Sequence, residues 1–166
     1  MLKEWKTYEE IGTVLLNEMA KNFNLKKVEG KQKLVGKKSG LKWEIDAKGT
    51  TKDNKTFFVI EFRRYTTKRI SQGDVASLRG RIEDLDAEGG ILVSPLGFQK
   101  GAKKYAKSFG IIEVKMNENS TNLDYILEFL NKIIVGRSGK LNPKGSLRAK
   151  IFRSNGTIED LGELKK

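Results

Sequence analysis

The sequence lacks cysteine and histidine altogether and contains only two prolines among 166 residues. Without cysteine, the chain has no disulfide, no zinc finger and no thiol nucleophile. Without histidine, it has no Ser-His-Asp or Cys-His catalysis and no imidazole general base. A bound metal ion would therefore be held by carboxylate and carbonyl oxygens, which favour a hard cation such as Mg²⁺ or Mn²⁺.

Long hydrophobic runs are also missing. No stretch approaches the roughly 18 apolar residues that cross a membrane as a helix. The opening segment, MLKEWKTYEE, carries charges where a signal peptide has an apolar core. We therefore expect a soluble, cytoplasmic protein that does not bind membranes.

Acidic residues are few relative to basic ones. The chain has 21 Asp and Glu against 33 Lys and Arg, which gives a formal net charge of +12. This balance favours a polyanionic partner, above all a nucleic acid. A plain solvated basic surface is the alternative, because many soluble proteins are basic without binding nucleic acid.

The length predicts one main domain, because a chain of 166 residues can bury a sizeable core without disulfides. The later segment GRSGKLNPKG has the composition of a linker, and Asn155-Gly156 is the strongest hairpin-turn signal in the chain. We predict an α/β domain over residues 1–136, followed over 137–166 by a linker and a small C-terminal hairpin.

Four segments have apolar residues at helical spacing. Thr7 is a candidate N-cap for the first helix and Ser71 for the second, which the pair Gly89-Gly90 should end. The third segment is basic and amphipathic, and the fourth should close the core. The predicted helices cover 8–23, 71–88, 98–109 and 121–135.

Other segments have the pattern of strands, and LKWEIDAK alternates strictly between apolar and charged residues. TFFVIEFRRY is apolar on both faces, which is typical of a central strand. Strands and helices then alternate with short connections, which indicates right-handed parallel crossovers and an α/β fold with a mixed central β-sheet flanked by helices. The predicted strands cover 41–48, 56–65, 90–94 and 110–115.

Counting residue pairs outward from a predicted hairpin turn places two carboxylates opposite each other. If Asp53-Asn54 forms a two-residue turn, Lys52 pairs with Lys55. Counting outward from that pair places Asp46 opposite Glu61 on the neighbouring strand.

Glu61 and Arg63 interrupt an apolar strand, where a buried charge costs several kcal/mol unless it is compensated. A buried ion pair is the simplest explanation. Asp46 adds negative charge that one arginine does not neutralise, so the two carboxylates suggest a divalent metal. A metal beside a cation suits phosphodiester hydrolysis, which needs no histidine.

These motifs resemble the PD-(D/E)xK nuclease superfamily, and most of all the Mrr-like restriction endonucleases, over roughly residues 8–115. The resemblance rests on Tyr8-Glu9 at the first helix, Asp46 in WEIDA, and Glu61 with Arg63 in VIEFRR. It continues through GILVSPLGFQKGAKKYA and GII. The order and spacing of these motifs agree with that superfamily.

The resemblance implies a DNA-binding protein that hydrolyses phosphodiester bonds with Mg²⁺ or Mn²⁺. Carried over, Glu9, Asp46 and Glu61 hold the metal, and Arg63 completes the catalytic set. Arg63 departs from the family, which usually has lysine there. Arginine keeps the positive charge but cannot exchange a proton, so water activation would fall on the metal. An active endonuclease and a catalytically silent DNA-binding module both remain open, and an RNA-binding protein is a third reading.

Several neighbouring residues have alternative interpretations. Glu10 could replace Glu9 as the first-helix acid, although a solvated first-turn glutamate is favoured. Glu44 is a candidate ligand, but a surface ion pair with a neighbouring lysine is the better prediction. Tyr65 could stack on a base, although a packed aromatic is favoured.

Basic and polar residues beyond the second motif are candidates for nucleic-acid binding, because a DNA backbone entering the site would pass them. Gln72 is the weakest of these, since it can simply begin a helix. The candidates for nucleic-acid binding are Arg64, Lys68, Arg69 and Gln72.

Many relatives act as dimers, so a homodimer is compatible with the resemblance.

Overall fold

In a computed structural model, residues 8–117 are described with their side chains; residue 118 and residues 124–129, 132–138, 146–153 and 158–165 are described as strand backbone. Helix α1 covers Tyr8–Glu18, α2 covers Gln72–Leu85 and α3 covers Lys100–Ser108. A 3₁₀ helix at Ala20–Phe23 follows α1 where the sequence predicted one continuous helix. None of the described helices is long and apolar enough to cross a membrane.

The strands form one large sheet and one small hairpin sheet. The small sheet pairs β2 with β3, and the large sheet has the order β1-β4-β5-β6-β7-β8-β9-β10-β11. The strands are β1 Leu25–Glu29, β2 Gln32–Val35, β3 Lys42–Ile45, β4 Ala47–Thr51, β5 Phe57–Phe62, β6 Gly89–Ser94, β7 Ile111–Glu118, β8 Asp124–Phe129, β9 Lys132–Ser138, β10 Ser146–Arg153 and β11 Ile158–Lys165.

The large sheet is mixed, as the sequence predicted. Strands β5, β6 and β7 run parallel through crossovers that contain α2 and α3. The flanking pairs β1–β4, β4–β5 and β7–β8 are antiparallel. The α/β class and the restriction-endonuclease-like arrangement of sheet and helices are therefore confirmed.

Two apolar cores lie on opposite faces of the sheet. Helix α1 covers one face, where Leu15 and Leu16 pack with Ile60 and Phe62 of β5. Its Gly12 lies so close to Phe62 that an added Cβ would come 2.1 Å from the aromatic ring. Helices α2 and α3 cover the other face, where Leu78 belongs to the same core as Val59. Successive residues of β5 thus serve both cores, as the apolar run predicted.

The predicted caps of the helices have mixed outcomes. Ser71 begins α2 through a capping box with Asp74, as the sequence predicted. The helix ends earlier than Gly89-Gly90, because Asp86 adopts a left-handed conformation at φ 55° and its N–H caps the last turn. Thr7 lies outside the described residues.

The predicted fourth helix over 121–135 is wrong. Strands β8 and β9 occupy Asp124–Phe129 and Lys132–Ser138, and Phe129 pairs with Lys132. The segment is rich in β-branched residues, including Ile133, Ile134 and Val135. Such residues favour a paired strand over a helix, and short apolar runs fit both periods.

The C-terminal hairpin has a matching pair of strands. Strand β10 pairs antiparallel with β11, and Phe152 lies opposite Ile158. The predicted turn at Asn155-Gly156 falls outside the described residues. The division into residues 1–136 and 137–166 stays a prediction.

Candidate functional site

Asp46 lies in the one-residue break between β3 and β4, beside the carboxyl-terminal half of β5. The predicted register is confirmed, since Ala47 pairs with Ile60 in the same count that places Asp46 opposite Glu61. The backbone N–H of Phe62 donates to Asp46 Oδ2 at 2.8 Å. This bond fixes the Asp46 carboxylate next to the Glu61-Phe62-Arg63 segment.

Glu61 is a buried carboxylate with two arginine partners. Its side chain is 1% exposed. Arg63 Nη2 donates to its Oε2 at 2.6 Å, and Arg81 Nη1 donates to its Oε1 at 2.5 Å. The ion pair predicted between Glu61 and Arg63 is present, and a second guanidinium shares the same carboxylate.

The electrostatics of Glu61 set opposing effects against each other. Burial raises the pKa of the Glu61 carboxyl above its ordinary value, and the nearby Asp46 charge raises it further. Arg63 and Arg81 act in the opposite direction and lower it. The two guanidiniums therefore offset much of the cost of placing this carboxylate in the interior.

Arg81 was missed by sequence reasoning. It lies on α2, three residues after buried Leu78 and four before buried Leu85, at the edge of the helix face that packs on the sheet. A charged residue at a core-facing helical position is a signal that a buried partner exists. The sequence does not identify that partner, because Glu61 lies 20 residues away on another element.

The β2–β3 hairpin covers Arg81 from outside. The guanidinium carbon of Arg81 lies 5.3 Å from the centre of the Trp43 ring, within range of a cation–π contact. Trp43 Nε1 and Ser39 Oγ both donate to Asp84 Oδ2 at 2.5 Å. These bonds lower the pKa of Asp84, the one from Ser39 most, and they attach the hairpin to α2.

The first-helix acids lie near the same end of the sheet. Glu9 is half-buried in the first turn of α1, whereas Glu10 is exposed. The Lys31 ammonium interacts with three acids of this region. Glu44 raises the pKa of Lys31 most, and Asp46 and Glu9 raise it further. Lys31 Nζ lies 2.7 Å from Glu44 Oε1, so the predicted surface ion pair of Glu44 is confirmed.

The candidate nucleic-acid residues follow β5 directly. Arg64, Lys68 and Arg69 are exposed, and Gln72 is the exposed first residue of α2. Tyr65 is packed against the α2 core, and its hydroxyl donates to Asp74 at 3.2 Å. The interpretation of Tyr65 as a packed aromatic is therefore confirmed.

Helix α3 adds further positive charge near this end of the sheet. It follows β6, whose carboxyl end lies beside that of β5 in the parallel pair. Lys103 lies 3.7 Å from Glu113, a separation at which an exposed pair contributes little. The exposed lysines of α3 are Lys100, Lys103, Lys104 and Lys107.

The predicted metal ligands do not fit a divalent cation as they are arranged. Both oxygens of Glu61 accept hydrogen bonds from guanidiniums, and one oxygen of Asp46 accepts the Phe62 N–H. Within the part of the chain described with side chains, no three carboxylates come together in a group that could hold a metal. A cation at Glu61 would lie beside two guanidiniums of the same charge sign.

Comparisons with known proteins agree with the architecture. The Mrr_cat family model, described as restriction endonuclease, matches residues 4–120. The crystal structure of AF1548, a protein of unknown function, resembles this chain at a TM-score of 0.50 and 15% identity, over 60% of this chain and 54% of that one. The chain thus spans about half the length of that protein, and the likeness concerns the fold. Among curated proteins, none matches significantly.

Proposed function

Because this chain belongs to the restriction endonuclease family over residues 4–120, we propose that it binds DNA through the phosphate backbone at the carboxyl end of β5. The family provides the substrate class, and the net charge of +12 provides the attraction. Phosphate contacts of this kind position a protein on DNA without selecting a sequence.

The position of Arg63 carries the proposal. Its side chain is 28% exposed, while the Glu61 side chain that it contacts is 1% exposed. Nη2 of the guanidinium is therefore held by the buried carboxylate, while more than a quarter of the Arg63 side chain stays exposed. A guanidinium has five N–H donors in a planar fork, so it can bind Glu61 and a phosphate oxygen together.

Exposed cations extend this surface along the chain after β5. Arg64, Lys68 and Arg69 are all exposed, and they follow Arg63 within six residues. Lys68 Nζ lies 4.3 Å from the centre of the Tyr65 ring, a contact that places its ammonium beside a packed side chain. We call Arg63, Arg64, Lys68 and Arg69 the phosphate surface.

Metal-dependent cleavage of DNA is the second candidate function. The register that sets Asp46 beside Glu61 and Arg63 favours it, and so does the family. The pairing of Glu61 with Arg81 opposes it, because two guanidiniums already compensate the charge of that carboxylate. Mg²⁺ or Mn²⁺ would be the cofactor of this activity.

Binding and nicking assays on the full chain test both candidates. We expect duplex DNA to shift in a gel in EDTA at low salt, and Arg63→Ala with Arg69→Ala to weaken the shift. Preference for RNA over DNA in a competition assay would overturn DNA as the partner. Nicking of a supercoiled plasmid that requires Mn²⁺ and is lost in Asp46→Ala would establish the second candidate.

A further inference from the structure

Arg81 forms a short ion pair with Glu61, at an oxygen to which a metal ion would otherwise bind. Arg81 Nη1 lies 2.5 Å from Glu61 Oε1, whereas Mg²⁺ binds a carboxylate oxygen at about 2.0–2.1 Å. The guanidinium nitrogen thus occupies one of the two lone-pair positions of that oxygen. Arg63 Nη2, at 2.6 Å, occupies one lone-pair position of Oε2 in the same way.

Arg81 is held in this place from several sides. Its side chain is 24% exposed, and the Trp43 ring lies against its guanidinium. Its Nε is buried and has no hydrogen-bond partner among the described residues. A buried donor without a partner is unfavourable, and the ion pair with Glu61 and the contact with Trp43 offset that cost.

The formal charges of the cluster balance without a metal. Arg63 and Arg81 supply two positive charges, and Glu61 and Asp46 supply two negative ones. A divalent cation would leave this partly buried cluster strongly positive, which a low-dielectric surrounding penalises. Without the Arg81 charge, the cluster would be negative and would attract a cation.

We propose that Arg81 takes the place of a divalent cation at Glu61, so that wild-type protein excludes metal from this carboxylate and a neutral residue at position 81 creates a metal site on Asp46 and Glu61. The proposal concerns cation binding, so it holds or fails independently of DNA binding. It assigns Arg81 a role in selecting which positive charge Glu61 binds.

Titration of the full chain with MnCl₂ tests this, with bound Mn²⁺ measured by electron paramagnetic resonance. Arg81→Met removes the charge and keeps an unbranched stem against Trp43. We expect it to bind one Mn²⁺ at least tenfold more tightly than wild type. The added double variant Asp46→Asn with Arg81→Met should lose that gain.

Two control variants separate charge from packing. Arg81→Lys keeps the positive charge, and Arg79→Met removes a charge two residues away that pairs with exposed Glu83. Both should bind Mn²⁺ as weakly as wild type. Wild type binding Mn²⁺ as tightly as Arg81→Met would overturn the proposal, and so would a gain that survives Asp46→Asn.

A failure to fold is covered by a second variant. Arg81→Gln retains an amide that can donate one hydrogen bond to Glu61, and it should show the same gain in Mn²⁺ affinity. If neither variant folds without metal, a cooperative melt that appears only with Mn²⁺ supports the proposal, and no such melt in either overturns it. Gel shifts in EDTA on the same proteins report DNA binding separately.

Discussion

Phe62 donates its backbone N–H to Asp46 Oδ2 at 2.8 Å, so an acidic side chain takes the place of a strand partner at the end of β5. The ladder between β4 and β5 stops at the pair Ala47 and Ile60, which lies one residue from Asp46 and two residues from Phe62. Asp46 thus satisfies a backbone donor that the break between β3 and β4 leaves unpaired. Its carboxylate is consequently part of the sheet as well as part of the candidate site.

Asp46→Ala and Asp46→Asn should have different effects on stability. The alanine variant leaves the Phe62 N–H without its acceptor, which we expect to cost about 1–3 kcal/mol. The asparagine variant keeps an acceptor oxygen and should recover much of that loss in urea unfolding. Both remove a negative charge near the phosphate surface, so gel shifts should show DNA binding that is equal or stronger. Loss of DNA binding in both folded variants would contradict this.

The salt dependence of DNA binding should report phosphate contacts. If about six phosphates are neutralised, log affinity should fall against log salt with a slope near −5. Arg64→Ala, Lys68→Ala and Arg69→Ala should each reduce the slope by about one. Lys55→Ala is the control, because Lys55 is exposed before β5 begins, at the opposite end of the strand. If Lys55→Ala reduced the slope by the same amount, DNA would be attracted by the overall charge and not by the phosphate surface.

Arg63 and Arg81 should be coupled through Glu61. Arg63→Ala leaves Arg81 on the carboxylate, so we expect a loss of about 1–3 kcal/mol rather than the roughly 3–5 kcal/mol of an orphaned buried charge. Adding Arg81→Ala removes the last cation, and the double variant should lose more than the sum of the singles by about 0.5–3 kcal/mol. Urea unfolding of all four proteins measures this coupling, and strict additivity would refute it.

Arg63→Lys tests the departure from the family pattern. Lysine keeps the charge but loses the fork, so we expect DNA binding within about threefold of wild type and no gain in stability. A gain of Mn²⁺-dependent plasmid nicking from an inert wild type would identify a nuclease silenced by arginine. If the ion pair with Arg81 also prevents Glu61 from binding metal, the double variant Arg63→Lys with Arg81→Met should show more Mn²⁺-dependent nicking than Arg63→Lys alone.

Asp84 should make folding more stable above about pH 4 than below it. Hydrogen bonds from Ser39 and Trp43 lower its pKa in the folded protein. Its contribution is therefore complete above the unfolded value, about 3.9, and is lost as the pH falls through the lower folded value. Asp84→Asn should flatten the acid limb of melting temperature against pH. Asp86→Asn is the comparison. Its hydrogen bond from Lys37 also lowers the pKa of Asp86, but that pair is exposed and screened by solvent, so Asp86→Asn should change the same limb less than Asp84→Asn.

Trp43 fluorescence gives a second measurement on the same variant. Trp5→Phe leaves Trp43 as the single indole, because the chain has two tryptophans. In that background, Asp84→Asn should shift the emission of Trp43 to longer wavelength as the β2–β3 hairpin separates from α2. An unchanged emission maximum would mean that other contacts hold the hairpin.

The features that depend on neighbouring residues in the chain could be predicted from the sequence. The predicted two-residue turn at Asp53-Asn54 is wrong, since residues 52–55 form a four-residue loop in which the Asn54 N–H donates to Thr51 O at 3.0 Å. The loop has the same centre as the predicted turn, so counting still brings Asp46 to Glu61. The capping box at Ser71 is likewise local. These features follow from backbone geometry over a few residues.

The features that depend on long side chains and on tertiary pairing could not be predicted from the sequence. Arg81 reaches Glu61 from another element, and Lys31, which lies outside every predicted element, is close enough to Glu9 and Asp46 for both to raise its pKa. The helix predicted over 121–135 failed for a related reason, because a strand partner decides between two periods that the apolar residues satisfy equally.

Gly12 has a consequence for the height of α1 above the sheet. Its missing side chain lets the helix approach Phe62 closely, and Glu9 lies one helical turn before that contact. A side chain at position 12 would force either the Phe62 ring or this end of α1 to move, and a movement of α1 would carry Glu9 away from β5. Gly12 thus sets the distance between α1 and β5, and the position of Glu9 relative to β5 depends on that distance.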